Sequence, residues 1–450
     1  MRFYIILATL IVALIVIGYT GFRTAGGQTP PGKLPDAILK TPDQKNPQVI
    51  PVAGVAPISD PKIAAPAAPT NTRRFVGSFP TDSQNLNPIT TQLLHACRRS
   101  FVWLGKDEIF QVSGQFIPGI NLSLGIPTQD DHFHQQATAA WALARAARCT
   151  GEQRFHALAS QAILAQLGST TLNNQGGRST LQIPITQCDP IGSAALLALA
   201  IAELPNPSTD LQARAVELTR FLAASSRGDG RICCDPNAPA TVTEAEFAFL
   251  AYQAMLVSFD GKDTQLLVNL KKALEYYEKA VTGRTLVYYA RMSAACSLAG
   301  LWVRDETIQN AVFRAADAVI TQQYASSRDR DHWAGGFTSE WENLHSPPTI
   351  SSAEGAKVLI HACQVIRQME RPDLEKYQHY QKRLIWSLQF VTYRLQYTES
   401  DTLHFDASFR PKVVGAFRPG LQGGSLRTTD TASTSLVLSD CLLHGFDRQN

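Results

Sequence analysis

The chain has 450 residues, 44% hydrophobic and 18% charged, with a formal charge of +3. That balance can bury a substantial core in one large domain or two ordinary ones. So small a charge over this length supplies no basic stripe, which argues against nucleic acid as the main partner.

Residues 3–20 carry no charge and are almost wholly apolar (FYIILATLIVALIVIGYT). A secretory apolar segment usually runs about 7–15 residues and a spanning helix about 17–25, so this one sits at the lower edge of spanning length. Ala25-Gly26-Gly27 is a poor match to a small-residue cleavage site. Residues 1–23 are therefore expected to act as an uncleaved signal-anchor, with a cleaved signal peptide as the alternative. Orientation stays open, because Arg2 competes with Arg23 and Lys33 across the span. The body is expected to be exported and membrane-anchored, periplasmic or extracellular, or secreted if the segment is cleaved.

Ten of the 25 prolines fall in residues 24–72. Proline-rich chain is stiff and extended at about 3.1 Å per residue, so residues 24–81 read as a disordered tether.

From Asp82 onward the pattern turns helical. Six pairs of segments follow: 84–106 with 131–149, 152–168 with 190–204, 208–226 with 242–258, 263–281 with 286–302, 305–325 with 350–370, and 373–397 with 429–445. Connections within a pair are long, except at 282–285, and those between pairs are short. Long loops therefore gather at one end, where sites are usually built. Second members are apolar and rich in small residues (ATAAWALARAA, IGSAALLALAIA, ARMSAACSLAGLW), as buried helices are, whereas first members are amphipathic (QLLVNLKKALEYYEKAV). An inner ring of buried helices inside an outer amphipathic ring follows, giving an all-α (α/α)6 toroid over residues 82–450. An open helical solenoid shares part of this pattern, but repeats of this length are too long and uneven for the usual helical repeats.

At five of the six returns the second segment opens on or beside an acid: Asp131, Asp189, Glu244, Glu354 and Asp430. A closed ring would gather these carboxyls at one mouth. Capping competes with that reading, because Asp favours helix N-caps and Glu in a first turn complements the helix dipole. The densest polar run is Thr128 to Gln135, containing Asp130, Asp131, His132 and His134. Its two histidines lack the i, i+4 relation of a helical metal pair, so neither a metal nor any other cofactor is expected. Asp329, Asp331 and His332 beside Trp333 form a second polar cluster.

The eight cysteines are scattered, without a C-x-x-C pair. Most read as buried thiols. In an exported body, Cys188 with Cys233 or Cys234 is the expected disulfide. No P-loop, strand-linked G-x-G-x-x-G or G-x-S-x-G occurs. His361 and His444 read as core residues.

The long loops share glycine beside an aromatic or aliphatic residue: SGQFIPG (113–119), RGDGRIC (227–233), WAGGFTSEW (333–341) and GAFRPGLQGGSLR (415–427). With the pair count and the inner/outer contrast, these loops make residues 82–446 resemble the α/α-toroid superfamily, the six-hairpin glycosidase-like and terpenoid-cyclase-like folds. Neither the aspartate-rich motif of squalene cyclases nor the zinc-ligand set of protein prenyltransferases is present. The resemblance implies an extended ligand, such as a polysaccharide, at the mouth of the inner ring.

A glycoside hydrolase needs two carboxyls, one protonated and one ionised, from among the five acids. A lyase or epimerase would need a base, for which His132, His134 and Tyr288 or Tyr289 are candidates. Trp333, Phe337, Trp341 and Phe417 are expected to stack on sugar rings, with Arg427 as a further contact. The alternative is a non-catalytic polysaccharide- or protein-binding module tethered to the membrane.

Overall fold

The computed structural model describes Phe79 and residues 86–129, 132–175, 178–182, 189–235, 237–259, 263–326, 331–338 and 346–444. The expected anchor and, Phe79 apart, the expected linker lie outside the described residues. So do Asp130, Asp131, Cys188, Asp329 and Trp341. Phe79 is buried, stacks on Phe101 at 6.3 Å and donates its amide to the Cys149 carbonyl (3.0 Å). The packed body thus reaches into the end of the expected linker.

Twelve helices of 14 to 20 residues carry the fold among the described residues. The first six are α1 (Pro88–Leu104), α2 (Phe133–Thr150), α3 (Gln153–Gly168), α4 (Pro190–Glu203), α5 (Thr209–Ala224) and α6 (Val242–Phe259). The others are α7 (Thr264–Ala280), α8 (Leu286–Gly300), α9 (Glu306–Ile320), α10 (Thr349–Gln368), α11 (Leu374–Gln389) and α12 (Thr428–Leu443). Most begin where the side chains can satisfy free backbone amides. Asn87, Asp189, Ser208, Asp263, Thr285, Asp305 and Asp373 each cap the helix that follows, and Pro occupies the first turn of α1 and α4.

The even-numbered helices are buried around most of their circumference. In α4 everything from Ile191 to Ile201 is buried, because Ile, Leu, Ala, Gly and Ser fill its turns. Each even helix packs on the next, and α12 packs on α2, completing a cycle. Each odd helix from α3 onward lies on the inner helix that precedes it in the chain, and α1 lies on α12. This is a mostly helical fold of stacked hairpins, consistent with an α/α toroid. No helix among the described residues is long and apolar enough to cross a membrane.

The glycine-aromatic loops are a repeated structural device. Four isolated β-bridges, Phe110–Phe116, Ser226–Ile232, Gln323–Phe337 and Gln396–Phe417, close a tight turn after α1, α5, α9 and α11. Two residues before the second partner stands a glycine with φ between 83° and 99°: Gly114, Gly230, Gly335 and Gly415. Each glycine sits against the next outer helix in the ring, Gly114 on α3, Gly230 on α7, Gly335 on α11 and Gly415 on α1. The residue two places on then tucks inward and is buried. Between the loops that precede α2 and α12, β5 (Ser425–Arg427) pairs antiparallel with β1 (Gly119–Asn121), which also pairs with β2 (Ile126–Pro127). A separate hairpin, β3 (Thr171–Gln175) with β4 (Arg178–Gln182), rises from the loop before α4.

Candidate active site at the inner-helix N-termini

The first turns of α2, α4, α6 and α8 are joined each to the next by side-chain contacts or a shared pocket. His132 caps α2 through Nδ1, which accepts the His134 amide (3.3 Å). His134 reaches across to α4: its Nε2 lies 3.0 Å from Ser193 Oγ and 3.3 Å from the Asp189 carbonyl. Since the Ser193 hydroxyl donates to that carbonyl (2.9 Å), Nε2 carries the proton. Burial lowers the His134 pKa to about 4, so its ring is neutral at ordinary pH.

Asp189 caps α4, and both bonds land on one oxygen: Oδ1 accepts Ile191 N–H (2.8 Å) and Gly192 N–H (3.1 Å). Burial is the largest influence on its carboxyl and, with the nearby charge of Glu244, outweighs those bonds, so its pKa is raised. A pocket of about 300 Å³ opens here, with Asp189, Glu244, Phe247, Thr241 and Cys234 among its walls. Two of the five expected carboxyls, from adjacent hairpins, therefore share one pocket.

They are not equivalent. Glu244 is clamped by Arg231, which donates from Nε to Oε1 and from Nη2 to Oε2, both at 2.7 Å, and Tyr277 donates to Oε1 (3.1 Å). It pins the loop before α6 to that helix instead of capping it. Glu354 lies in the second turn of α10, and no capping bond is seen there. Its Oε2 is buried without a hydrogen-bond partner among the described residues, near Arg291. Asp430 lies in the first turn of α12 and makes no capping bond either. It is 2% exposed, its Oδ2 is unpartnered among the described residues, and burial raises its pKa to about 7. Capping thus accounts for Asp189 alone of the four described acids. Asp131 lies outside the described residues, one position before His132.

Three site residues carried no motif. Phe247 meets His134 edge-on at 4.8 Å, and the Arg291 guanidinium lies over the Phe247 ring, 4.8 Å from its centre. Glu246 accepts from Thr285 Oγ1 (2.5 Å) and comes within 3.9 Å of Arg291 Nη1. Burial lowers the Arg291 pKa, opposed by the charges of Glu246 and Glu354. The available signal was a lone charge inside an apolar inner segment: Glu246 in AEFAFLAY and Arg291 in ARMSAACSLAG.

The expected stacking rings are placed otherwise. Phe337 and Phe417 are fully buried as the inward plugs of the repeated turn, so neither offers a face to a sugar. Trp333 is 8% exposed and packs edge-on against Tyr324 at 5.2 Å. Tyr288 is 2% exposed and packs on Phe249 at 5.5 Å; burial raises its pKa, which rules it out as a ready base. Arg427 is exposed and pairs through its backbone with Gly119. Cys233 is buried and Cys234 exposed, and their expected partner Cys188 lies outside the described residues. No group of three or more His, Cys, Asp or Glu side chains suited to a metal occurs among the described residues.

No protein-family model matches the chain, and no curated protein matches its sequence. Solved structures do resemble it in fold. One is the alpha-1,6-mannanase GH76A of Salegentibacter sp. HEL1_6, at 11% identity and a TM-score of 0.54, covering 78% of this chain and 99% of that one. An inactive variant of that mannanase, with two consecutive aspartates replaced by asparagine and bound to alpha-1,6-mannotriose, matches with 10% identity, the same coverage and the same score. Another is the unsaturated glucuronyl hydrolase of Bacillus sp. GL1, described as responsible for degradation of glycosaminoglycan, at 11% identity and a TM-score of 0.51, covering 77% of this chain and 95% of that one. At these identities the likeness is one of fold alone: the described helices share the α/α-toroid arrangement of these solved structures.

Proposed function

We propose that the protein is a glycoside hydrolase of the cell envelope or extracellular space, built on a closed (α/α)6 ring and acting at the mouth where α2 and α4 begin. Asp189 would serve as the acid, and Asp130 or Asp131 as the ionised partner. The observation that carries this is the join between α2 and α4. His134, three residues after Asp131, is bonded to the same turn that holds the raised Asp189 carboxyl beside a pocket. Asp130-Asp131 is the single Asp-Asp in the chain, and consecutive aspartates are what the inactive mannanase variant lacks.

Hydrolysis of a glycosidic bond asks for a proton at the leaving oxygen and a carboxylate on the other side of the sugar. Asp189, its ionisation disfavoured by burial, is the carboxyl suited to supply the first. A lyase would need a strong base, and a histidine with a pKa near 4 is a poor one. Glu244, engaged by Arg231 and Tyr277, holds the pocket wall. Residues 1–23 would direct export of the body or anchor it.

The test is release of reducing ends from α-1,6-mannan and from unsaturated glycosaminoglycan fragments. Asp189→Asn and Asp131→Asn should each lower turnover by at least about 100-fold, with circular dichroism unchanged. Turnover persisting in both variants would overturn the assignment. Retention of glycan without any turnover by the wild-type protein would leave the binding module as the reading.

A further inference from the structure

The largest cavity among those described has no part in the mouth. It is an open groove of about 630 Å³ between the loop after α9 and the end of α11. Its walls include Ser326 and Asp331 on one side and Trp386, Gln389, Tyr393 and Arg394 on the other. Trp386 and Gln389, three apart on α11, share one face, and Tyr393 in the turn that follows lines the same groove. The helix then widens into a π turn over Phe390–Leu395, a distortion often found at functional sites. Phe390, also on the groove wall, is buried, while Tyr393 is 65% exposed. Trp386 forms a wall whose ring already has Lys382 and Arg383 each 5.3 Å away, so Tyr393 is the free platform. Asp331 accepts from Ser326 Oγ, which fixes the acidic edge.

We propose that this groove is a second glycan-binding site, on the outer rim at the same end of the ring as the mouth. The chemistry is that of a pyranose with vicinal hydroxyls. An aromatic face takes the sugar's C–H side, and planar polar groups meet its hydroxyl edge. The volume lies within the roughly 300–1,000 Å³ of small-ligand sites. Asp331 and Gln389 accept hydroxyl protons, whereas Gln389 and Arg394 donate to hydroxyl oxygens. Neutral and acidic sugars both present this pattern. The inference rests on the carbohydrate reading but on none of the residues assigned to the mouth.

The experiment is titration calorimetry of the full chain with soluble α-1,6-mannan and, separately, with heparin oligosaccharides, for wild type, Tyr393→Ala, Tyr393→Phe and Asp331→Ala. Turnover of α-1,6-mannotriose and of a short unsaturated fragment is followed in parallel. The exposure of Tyr393 makes its truncation safe for folding. Tyr393→Ala should weaken binding of one glycan by about fivefold or more, Tyr393→Phe should restore most of it, and turnover of short substrates should stay unchanged. Which glycan responds tells a neutral from an acidic ligand. Unaltered binding in both Tyr393→Ala and Asp331→Ala, or no binding by the wild type, would overturn the groove. Tyr393-dependent binding without any turnover would support the groove and count against the hydrolase.

Discussion

Asp430 is the residue whose environment departs furthest from its sequence appearance. A first-turn acid on a helix reads as a cap, yet this carboxyl is buried with an unpartnered oxygen and a pKa near 7. The folded chain therefore holds a proton that the unfolded chain, with a value of 3.8, releases. Stability is lost as pH rises from about 4 to 7, by roughly 4 kcal/mol. Asp430→Asn removes that penalty. Urea unfolding across pH 4 to 8 should show the variant gaining on the wild type steadily with pH; a constant difference would mean that the carboxyl ionises freely. Asp440 behaves in the opposite sense. Arg145 holds its pKa down at about 2 against the effect of burial, so its contribution is full above 3.8 and fades as pH falls toward 2.

Arg145 also joins residue to element. From α2 it meets Glu203 on α4 at 2.5 Å and Asp440 on α12, while Arg148 meets the other Glu203 oxygen at 2.6 Å. This buried network ties the first two inner helices to the last, at the end of the ring opposite the mouth. Charges at such depth persist because each has its partner; removing one side would strand the other. At the mouth end the corresponding element is the glycine turn. Gly335 has φ +90°, and an added Cβ would lie 2.2 Å from the Trp386 carbonyl oxygen, so the loop would lift off α11. Gly335→Ala should cost at least about 2 kcal/mol. Gly283→Ala, at φ +66° with open space around it, should cost only about 1 kcal/mol of backbone strain. Equal losses in chemical denaturation would mean that the glycine turn does not need its close seat on the next helix.

For the whole molecule, the decisive feature is that α12 packs on α1, α2 and α10 together. A solenoid would lose only its terminal repeat on truncation, since each repeat touches its neighbours alone. A ring has no terminal repeat. Deleting residues 428–450 should expose the inner faces of three helices at once. We expect loss of the single cooperative thermal transition, with dye-binding apolar surface. A truncated chain that still melts cooperatively, with stability reduced in proportion to length, would indicate open stacking.

Helix periodicity is local, and it was legible in the chain. The segments 152–168 and 190–204 correspond to Gln153–Gly168 and Pro190–Glu203 because caps, apolar faces and breaker residues act within a few positions of one another. The segment 373–397 was less faithful: its last turn widens into a π-helix, which no local pattern specified. Which acids would meet was not legible, since that depends on side chains brought together across the ring. Asp189, Glu244 and Glu354 looked alike as acids at helix starts. Tertiary packing made the first a buried cap, the second an ion-pair anchor and the third the holder of an unpartnered oxygen. The Gly-aromatic motif was visible in sequence, but its meaning was not. Phe337 and Phe417 look like ligand platforms until the glycine two places earlier is seen seated on the next outer helix, turning each ring inward. The sequence by itself determined the helices and the inner/outer contrast, because hydrophobic period and capping are properties of neighbouring residues; the expected pairs did not hold, since each outer helix from α3 onward packs mainly on the inner helix before it and α1 packs on α12. Only the tertiary structure decided ring closure, which outer helix lies on which inner one, and the surroundings of each described acid and aromatic, because burial and charge depend on what arrives from elsewhere in the chain.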